Sequence, residues 1–203
     1  MEERTQIPVI TILLVILNVL VFGYTEWNGS SQDAEYMIQM GAIYEPLVLE
    51  GKEYYRLFTH FFLHFGFEHL ANNMISLLIL GYSIESVLGK GRFIFLYFLS
   101  GLLAGVTSIV YNIHVGNEYT VSCGASGAIY GLTGALLILL ILGNRGRKST
   151  EVIRYLLYIG ISLYSGMRDV SIDHAAHIGG FVVGAVVCAI MARKKTLEVS
   201  YES

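Results

Sequence analysis

Long apolar runs, separated by short polar or glycine-containing stretches, fill this chain from one end to the other. A helix needs roughly 20 mostly apolar residues to cross the hydrocarbon of a bilayer. Six segments approach or meet that length: about 7–24, 65–84, 93–111, 127–143, 152–166 and 174–192. The fifth is short and carries Arg154 and Ser162, which makes it weakly hydrophobic. The pattern predicts an all-α integral membrane protein with six transmembrane helices, in a single domain covering residues 1–203. One connection is long, about 25–64. Its residues Tyr36, Met37, Met40, Ile43, Tyr44, Leu47 and Val48 are too apolar for a solvated linker. Such a loop is expected to rest in the membrane interface, where tyrosine is favoured. The first apolar run lacks a small-residue cleavage site and reads as a retained helix, not a signal peptide. No low-complexity tract or internal repeat is visible.

Composition supports the same class. Hydrophobic residues make up 54% and charged residues 14% of the 203, and the mean hydropathy is +0.59. The net charge of −3 gives neither the basic footprint of a nucleic-acid binder nor an acidic tail. The distribution of charge says more. With six spans, one face collects Arg4, Lys90, Arg92, Arg145, Arg147, Lys148, Arg154, Arg193, Lys194 and Lys195. The other face keeps Lys52, Arg56 and Arg168, so most of the 13 basic residues share one side. Basic residues favour the cytoplasmic side, which places the N-terminus and C-terminus there. Cys123 and Cys188 fall at opposite ends of this path, which argues against an intrachain disulfide.

In this topology the second, fourth and sixth helices all begin near the outer surface. The second opens with His64, His69 and Asn73, the fourth with Ser126 and Tyr130, the sixth with Asp173, His174 and His177. His69 and Asn73 are four apart and share a helix face, as do Ser126 and Tyr130. Gly127, Gly131 and Ala135 leave one stripe of the fourth helix nearly bare. Ala176, Gly180 and Gly184 do the same on the sixth. Two such stripes let helices approach closely in a membrane, which would bring Ser126 within reach of His177. A serine becomes a nucleophile when a histidine takes its proton, and the developing oxyanion then needs donors. Ser126 and His177 can form the first pair. His69, Asn73 and the Ser126 amide can supply the donors, and Tyr130 could stack on the His177 ring. Asp173, at the start of its helix, reads as an N-cap.

Each residue also has a plainer reading. Ser126 alone could be a packing or capping serine, and His177, His69 and Asn73 could be interhelical hydrogen-bond partners. His60, His64, His114 and His174 read as interfacial or loop histidines, with His64 also able to shape a water-accessible cavity. Tyr55 and Arg56 read as holding the loop's shape, and Cys123 as a small loop residue.

Together these residues resemble the rhomboid family of intramembrane serine proteases. The likeness rests on G-x-S-G at Gly124–Gly127, A-H-x-G-G at Ala176–Gly180, the His69/Asn73 pair, and Glu53-Tyr54-Tyr55-Arg56 in the loop. It covers about residues 7–192. Any one motif is weak, but three in order on alternate helices are specific. The resemblance implies a Ser126–His177 dyad without a third acid. It also implies an oxyanion site of His69, Asn73 and the Ser126 amide, helped by Gly124. Further implications are a hydrolase that cleaves membrane-spanning protein substrates near the outer side through an acyl-enzyme, and lateral access between the second and fifth helices. Two positions depart from the family pattern: Tyr55 replaces a common tryptophan, and His174 a common asparagine. The partners expected are membrane lipids and transmembrane substrates, with no cofactor, metal or nucleic acid. The compact core points to a bacterial cytoplasmic (inner) membrane, an organelle membrane being the alternative.

Two other functions compete. His60, His64, His69, His174 and His177 could serve a transporter or metal-handling protein, with His174 and His177 spaced to share zinc, although no cysteine or carboxylate set joins them. A catalytically silent relative that binds membrane helices would lack the serine or the histidine, and both are present.

Overall fold

The computed structural model describes residues 7–143 and 173–201. Among them, five helices are long and apolar enough to cross a membrane. They are α1 (Val9–Asn28), α5 (Gly66–Leu88), α6 (Lys90–Val115), α7 (Ser126–Gly143) and α8 (His174–Tyr201), the last spanning through Ala192. The fifth predicted span, 152–166, lies outside the described residues, and with it the expected access route beside it.

The helices run past the apolar stretches that predict them. The first was expected over 7–24 and ends at Asn28; the third was expected over 93–111 and covers Lys90–Val115. Hydropathy falls where a helix enters the polar interface, but backbone hydrogen bonding continues until a residue ends it. Gly116 ends α6 in the left-handed region, φ 70°, with its amide bonded to Asn112. Gly89, φ 78°, is the single residue between α5 and α6.

Helix α1 has its polarity reversed relative to a soluble helix. Thr11, Leu14, Asn18 and Thr25 face inward, while Leu13, Ile16, Leu20 and Tyr24 are exposed. That is the arrangement a lipid solvent demands, since apolar side chains cost nothing there and polar ones need partners. Asn18 and Thr25 each bond back to the carbonyl four residues earlier. The start of α1 is capped from outside its own chain segment. Glu85, in the last turn of α5, accepts the Ile10 amide at 3.0 Å and the Thr11 amide at 2.8 Å, plus the Thr11 hydroxyl.

The core gathers around α7, which packs against α5, α6 and α8. Leu77 and Ile84 from α5, Phe93, Leu96 and Tyr97 from α6, and Leu132 and Ala135 from α7 are fully buried there. Glycine sets the closest contact. A Cβ on Gly180 would land on the Gly127 carbonyl, one on Gly184 on the Gly131 carbonyl, and one on Gly134 on the Phe181 carbonyl. The two bare stripes of the sequence therefore meet directly.

The long connection is structured throughout. It contains α2 (Ala34–Gln39, capped by the Asp33 carboxylate), strand β1 (Ile43–Tyr44), α3 (Glu45–Leu49), α4 (Arg56–Thr59) and a 3-10 turn at His60–Phe62. Arg56 is buried and donates to Glu53, to the Ile38 carbonyl and to the Ala42 carbonyl, which holds the loop's shape as expected. Hydrogen bonds from Tyr55 and from Arg56 keep the Glu53 carboxyl below the usual range. One feature modifies the all-α expectation: β1 pairs antiparallel with β2 (Val121–Ser122), matching Ile43 with Ser122 and Tyr44 with Val121. That ladder fastens the loop to the strand leading into Ser126.

Candidate active site

Ser126 opens α7 and His177 lies in the first turn of α8. Their helices are held together by the Gly127–Gly180 contact just beyond them, so the two side chains meet. Ser126 Oγ is 2.9 Å from His177 Nε2, a hydrogen-bond distance. His177 is buried and Ser126 partly so. Tyr130, one turn below Ser126, stacks on the imidazole at 4.2 Å between centroids and 18° between planes. The ring is thereby held between a hydroxyl at its edge and an aromatic face.

Of the remaining residues predicted for the site, Gly124 and His69 lie beside Ser126, and Asn73 is bonded to His69. Gly124 has φ 132°, a conformation that favours glycine, and a Cβ there would come within 2.8 Å of the His69 ring. His69 thus lies directly over Gly124, and Ser126 Oγ is 3.7 Å from the same point. The Gly124 amide is already engaged, donating to the His60 carbonyl at 2.9 Å. What this glycine supplies is room. Asn73 is buried and donates to the His69 carbonyl at 2.8 Å. A primary amide carries two hydrogens, so this bond leaves one more to donate. The first amides of α7 have no intrahelical acceptor by construction, and the helix dipole favours negative charge near them.

Two histidines depart from the sequence expectation. His60 and His64 read as interfacial or loop residues, yet both are buried, at 4% and 1% exposure. His64 Nε2 accepts the Ala125 amide at 3.3 Å, and its ring meets His69 edge-on at 5.2 Å. His60 packs edge-on against Phe61 and faces Gly105. They belong to the packing beneath the Gly124–Ser126 turn. Burial drives both imidazoles down from 6.5 to about 3, with the His69 neighbour adding to the shift at His64. A hydropathy profile places polar residues before a span at its interface, and it has no means of seeing that the 3-10 turn folds them inward. Cys123, the small loop residue, is buried too, and burial pushes its thiol up.

Asp173 caps α8, as its position implies: Oδ1 accepts the Ala176 amide at 2.9 Å. Its second oxygen, which sequence reasoning missed, accepts hydroxyls from Ser108 and Ser122. His174 stands perpendicular to His177, with 6.2 Å between ring centroids. Among the described residues, no group of three or more His, Cys, Asp or Glu side chains is arranged to hold a metal ion.

The arrangement pairs a hydroxyl with an imidazole at a helix start, with the His69 ring alongside. Comparison with known proteins points the same way. Residues 51–194 match the Rhomboid domain family model. The chain is 34% identical over 188 residues to the Rhomboid protease GluP of Bacillus subtilis (strain 168), an alignment covering 93% of this chain and 36% of that protein. It is 30% identical over 200 residues to the Rhomboid protease AarA of Providencia stuartii, covering 88% of this chain and 70% of that one. With RHOMBOID-like protein 5 of Arabidopsis thaliana it shares 38% identity over 148 residues, 72% of this chain and 46% of that protein. The chain therefore spans less than half the length of two of these three relatives.

Proposed function

This chain belongs to the rhomboid family, and on that premise we propose that it is an intramembrane serine endopeptidase using Ser126 as nucleophile and His177 as base. The observation that carries the reading is the 2.9 Å separation of Ser126 Oγ and His177 Nε2. Nε2 takes the hydroxyl proton as Oγ attacks a peptide carbonyl. The carbonyl oxygen becomes an oxyanion, stabilised by the Ser126 amide and by His69 and Asn73. Gly124 gives His69 the room to stand there, and Tyr130 keeps the imidazole in plane. As the tetrahedral species collapses, His177 returns the proton to the leaving amine, and an acyl-enzyme remains on Ser126. Water, deprotonated in turn by His177, releases it.

The substrates proposed are membrane-spanning proteins. A helix in lipid has its backbone bonds closed internally, so it must unwind locally before a carbonyl can reach Ser126. Helix-breaking residues near the outer end of the substrate span favour that step. Six spans with both termini cytoplasmic, in a bacterial inner membrane, complete the proposal.

The test is cleavage in reconstituted vesicles of a single-span protein carrying glycine or proline near one end of its span. Cleavage by the wild type, lost in Ser126→Ala, is expected. Equal cleavage by both proteins contradicts the reading.

A further inference from the structure

The Asp173 carboxylate joins three parts of the chain at the start of α8. Oδ1 accepts the Ala176 amide at 2.9 Å, and the Asp173 carbonyl accepts the His177 amide at 3.1 Å. Oδ2 accepts the Ser108 hydroxyl from α6 at 2.5 Å and the Ser122 hydroxyl from β2 at 2.6 Å. The network continues to the loop, because Asn112 lies 3.5 Å from Ser108 Oγ and donates to Glu45 at 2.8 Å.

Helix capping explains only half of this. One oxygen suffices for an N-cap, and serine or asparagine serves there as well as aspartate. The other oxygen gathers two hydroxyls from elements distant in sequence, and an ionised carboxylate, which only accepts, suits that duty. The location gives the bonds their meaning. Ser122 sits in β2, on the approach to Ser126, and Ala176 and His177 form the first turn of α8. One carboxylate therefore ties the backbone that carries the base to the strand that leads to the nucleophile. Glycine packing sets how near α7 and α8 lie, but bare stripes can slide along one another. A clamp at their outer ends fixes that slide.

We propose that Asp173 is a positioning residue for the reaction, fixing His177 against Ser126 by clamping the first turn of α8 to β2 and α6. The proposal rests on the dyad reading above. Asp173 bonds to Ser108, Ser122 and Ala176, whereas the His177 ring meets Ser126 and Tyr130, so Asp173 acts through the backbone and not as a third acid of a triad.

Substitutions separate the clamp from the cap. Asp173→Ser keeps a capping oxygen and loses the second one. Asp173→Asn keeps the cap and places an amide nitrogen where the serine hydroxyls, free to rotate, can accept from it. The full chain in detergent, with a single-span substrate, gives kcat and KM for these variants, for Ser122→Ala and for the double variant Asp173→Ser/Ser122→Ala. A fluorophosphonate gives the labelling rate of Ser126. Asp173→Ser should lower kcat by about tenfold to a hundredfold, the scale of a small misplacement of reacting groups. KM should stay within about twofold, and Asp173→Asn should recover to within about threefold of wild type. Ser122→Ala should lower kcat in the wild-type background and change nothing further in Asp173→Ser. Wild-type kcat in Asp173→Ser, or an equal Ser122→Ala effect in both backgrounds, would overturn the proposal. His177→Ala separates the two readings. If it abolishes labelling while Asp173→Ser labels normally, the clamp alone is wrong; if His177→Ala labels like wild type, the dyad itself is wrong.

Discussion

Gly180 passes so close to Gly127 that a Cβ on Gly180 would occupy the position of the Gly127 carbonyl oxygen. Gly184 and Gly131 repeat the relationship one turn deeper. These contacts lie just inward of Ser126 and His177, so they set how near the hydroxyl and the imidazole come. The Ser126–His177 pair owes its geometry to missing side chains.

Enlarging the stripe should therefore cost both stability and chemistry. Gly180→Ala must push α8 from α7, an overpacking penalty of about 1–3 kcal/mol or more. Gly23 in α1 is the contrast, with nothing within 4 Å of a Cβ placed there. Gly23→Ala should be neutral or gain roughly 0.5–1 kcal/mol from the helix backbone. Thermal melts of both variants in one detergent check this. A Gly180→Ala melt matching wild type contradicts the close-packing account.

Much of this architecture is legible in the sequence alone. Four described spans announced themselves by length and hydropathy, and α8 by its apolar run with Gly180 and Gly184 at helical spacing. Ser126 and His177 could be paired because small residues at matching intervals implied that their helices touch. The rest depended on information hydropathy does not carry. The β1–β2 ladder has two residues per strand, too few for an alternating pattern to show. His60 and His64 resemble interface residues until the 3-10 turn is seen to fold them inward. The Oδ2 bonds of Asp173 join residues 65 and 51 positions away, a relation no local pattern encodes.

His64 should matter through the amide it holds. Its Nε2 accepts from Ala125, next to Ser126. His64→Ala leaves that buried donor unmet, a loss of about 1–3 kcal/mol, and lets the turn before Ser126 relax. His64→Asn, which offers a carbonyl acceptor, should recover part of the loss. Melting temperatures and labelling rates of the two variants check the point, and indistinguishable behaviour contradicts it.

The same buried histidines make stability depend on pH. His60 and His64 bind a proton near 6.5 when unfolded but only near 3 when folded. Between those values the unfolded chain holds more protons, so stability falls as pH drops from about 6.5 towards 3. Above about 6.5 these two groups contribute no slope. Each contributes about 1.4 kcal/mol per pH unit inside the window. The melting temperature should fall between about pH 7.5 and about pH 5, and less steeply in His60→Phe. A His60→Phe variant with the wild-type slope contradicts the assignment.

Asn73 tests the oxyanion site. If it donates mainly to the transition state, Asn73→Ala should lower kcat by about 10²-fold, the usual scale for one lost oxyanion donor, with KM little changed. Steady-state cleavage of a transmembrane substrate gives both constants. A rise in KM at constant kcat assigns Asn73 to substrate binding instead.

In the proposed mechanism Ser126 is a nucleophile activated by His177 across 2.9 Å. Labelling of the purified protein with a fluorophosphonate tests it most directly, with mass spectrometry locating the adduct. One adduct on Ser126 is expected, none in Ser126→Ala and a severe loss in His177→Ala. Equal labelling of wild type and Ser126→Ala would contradict it.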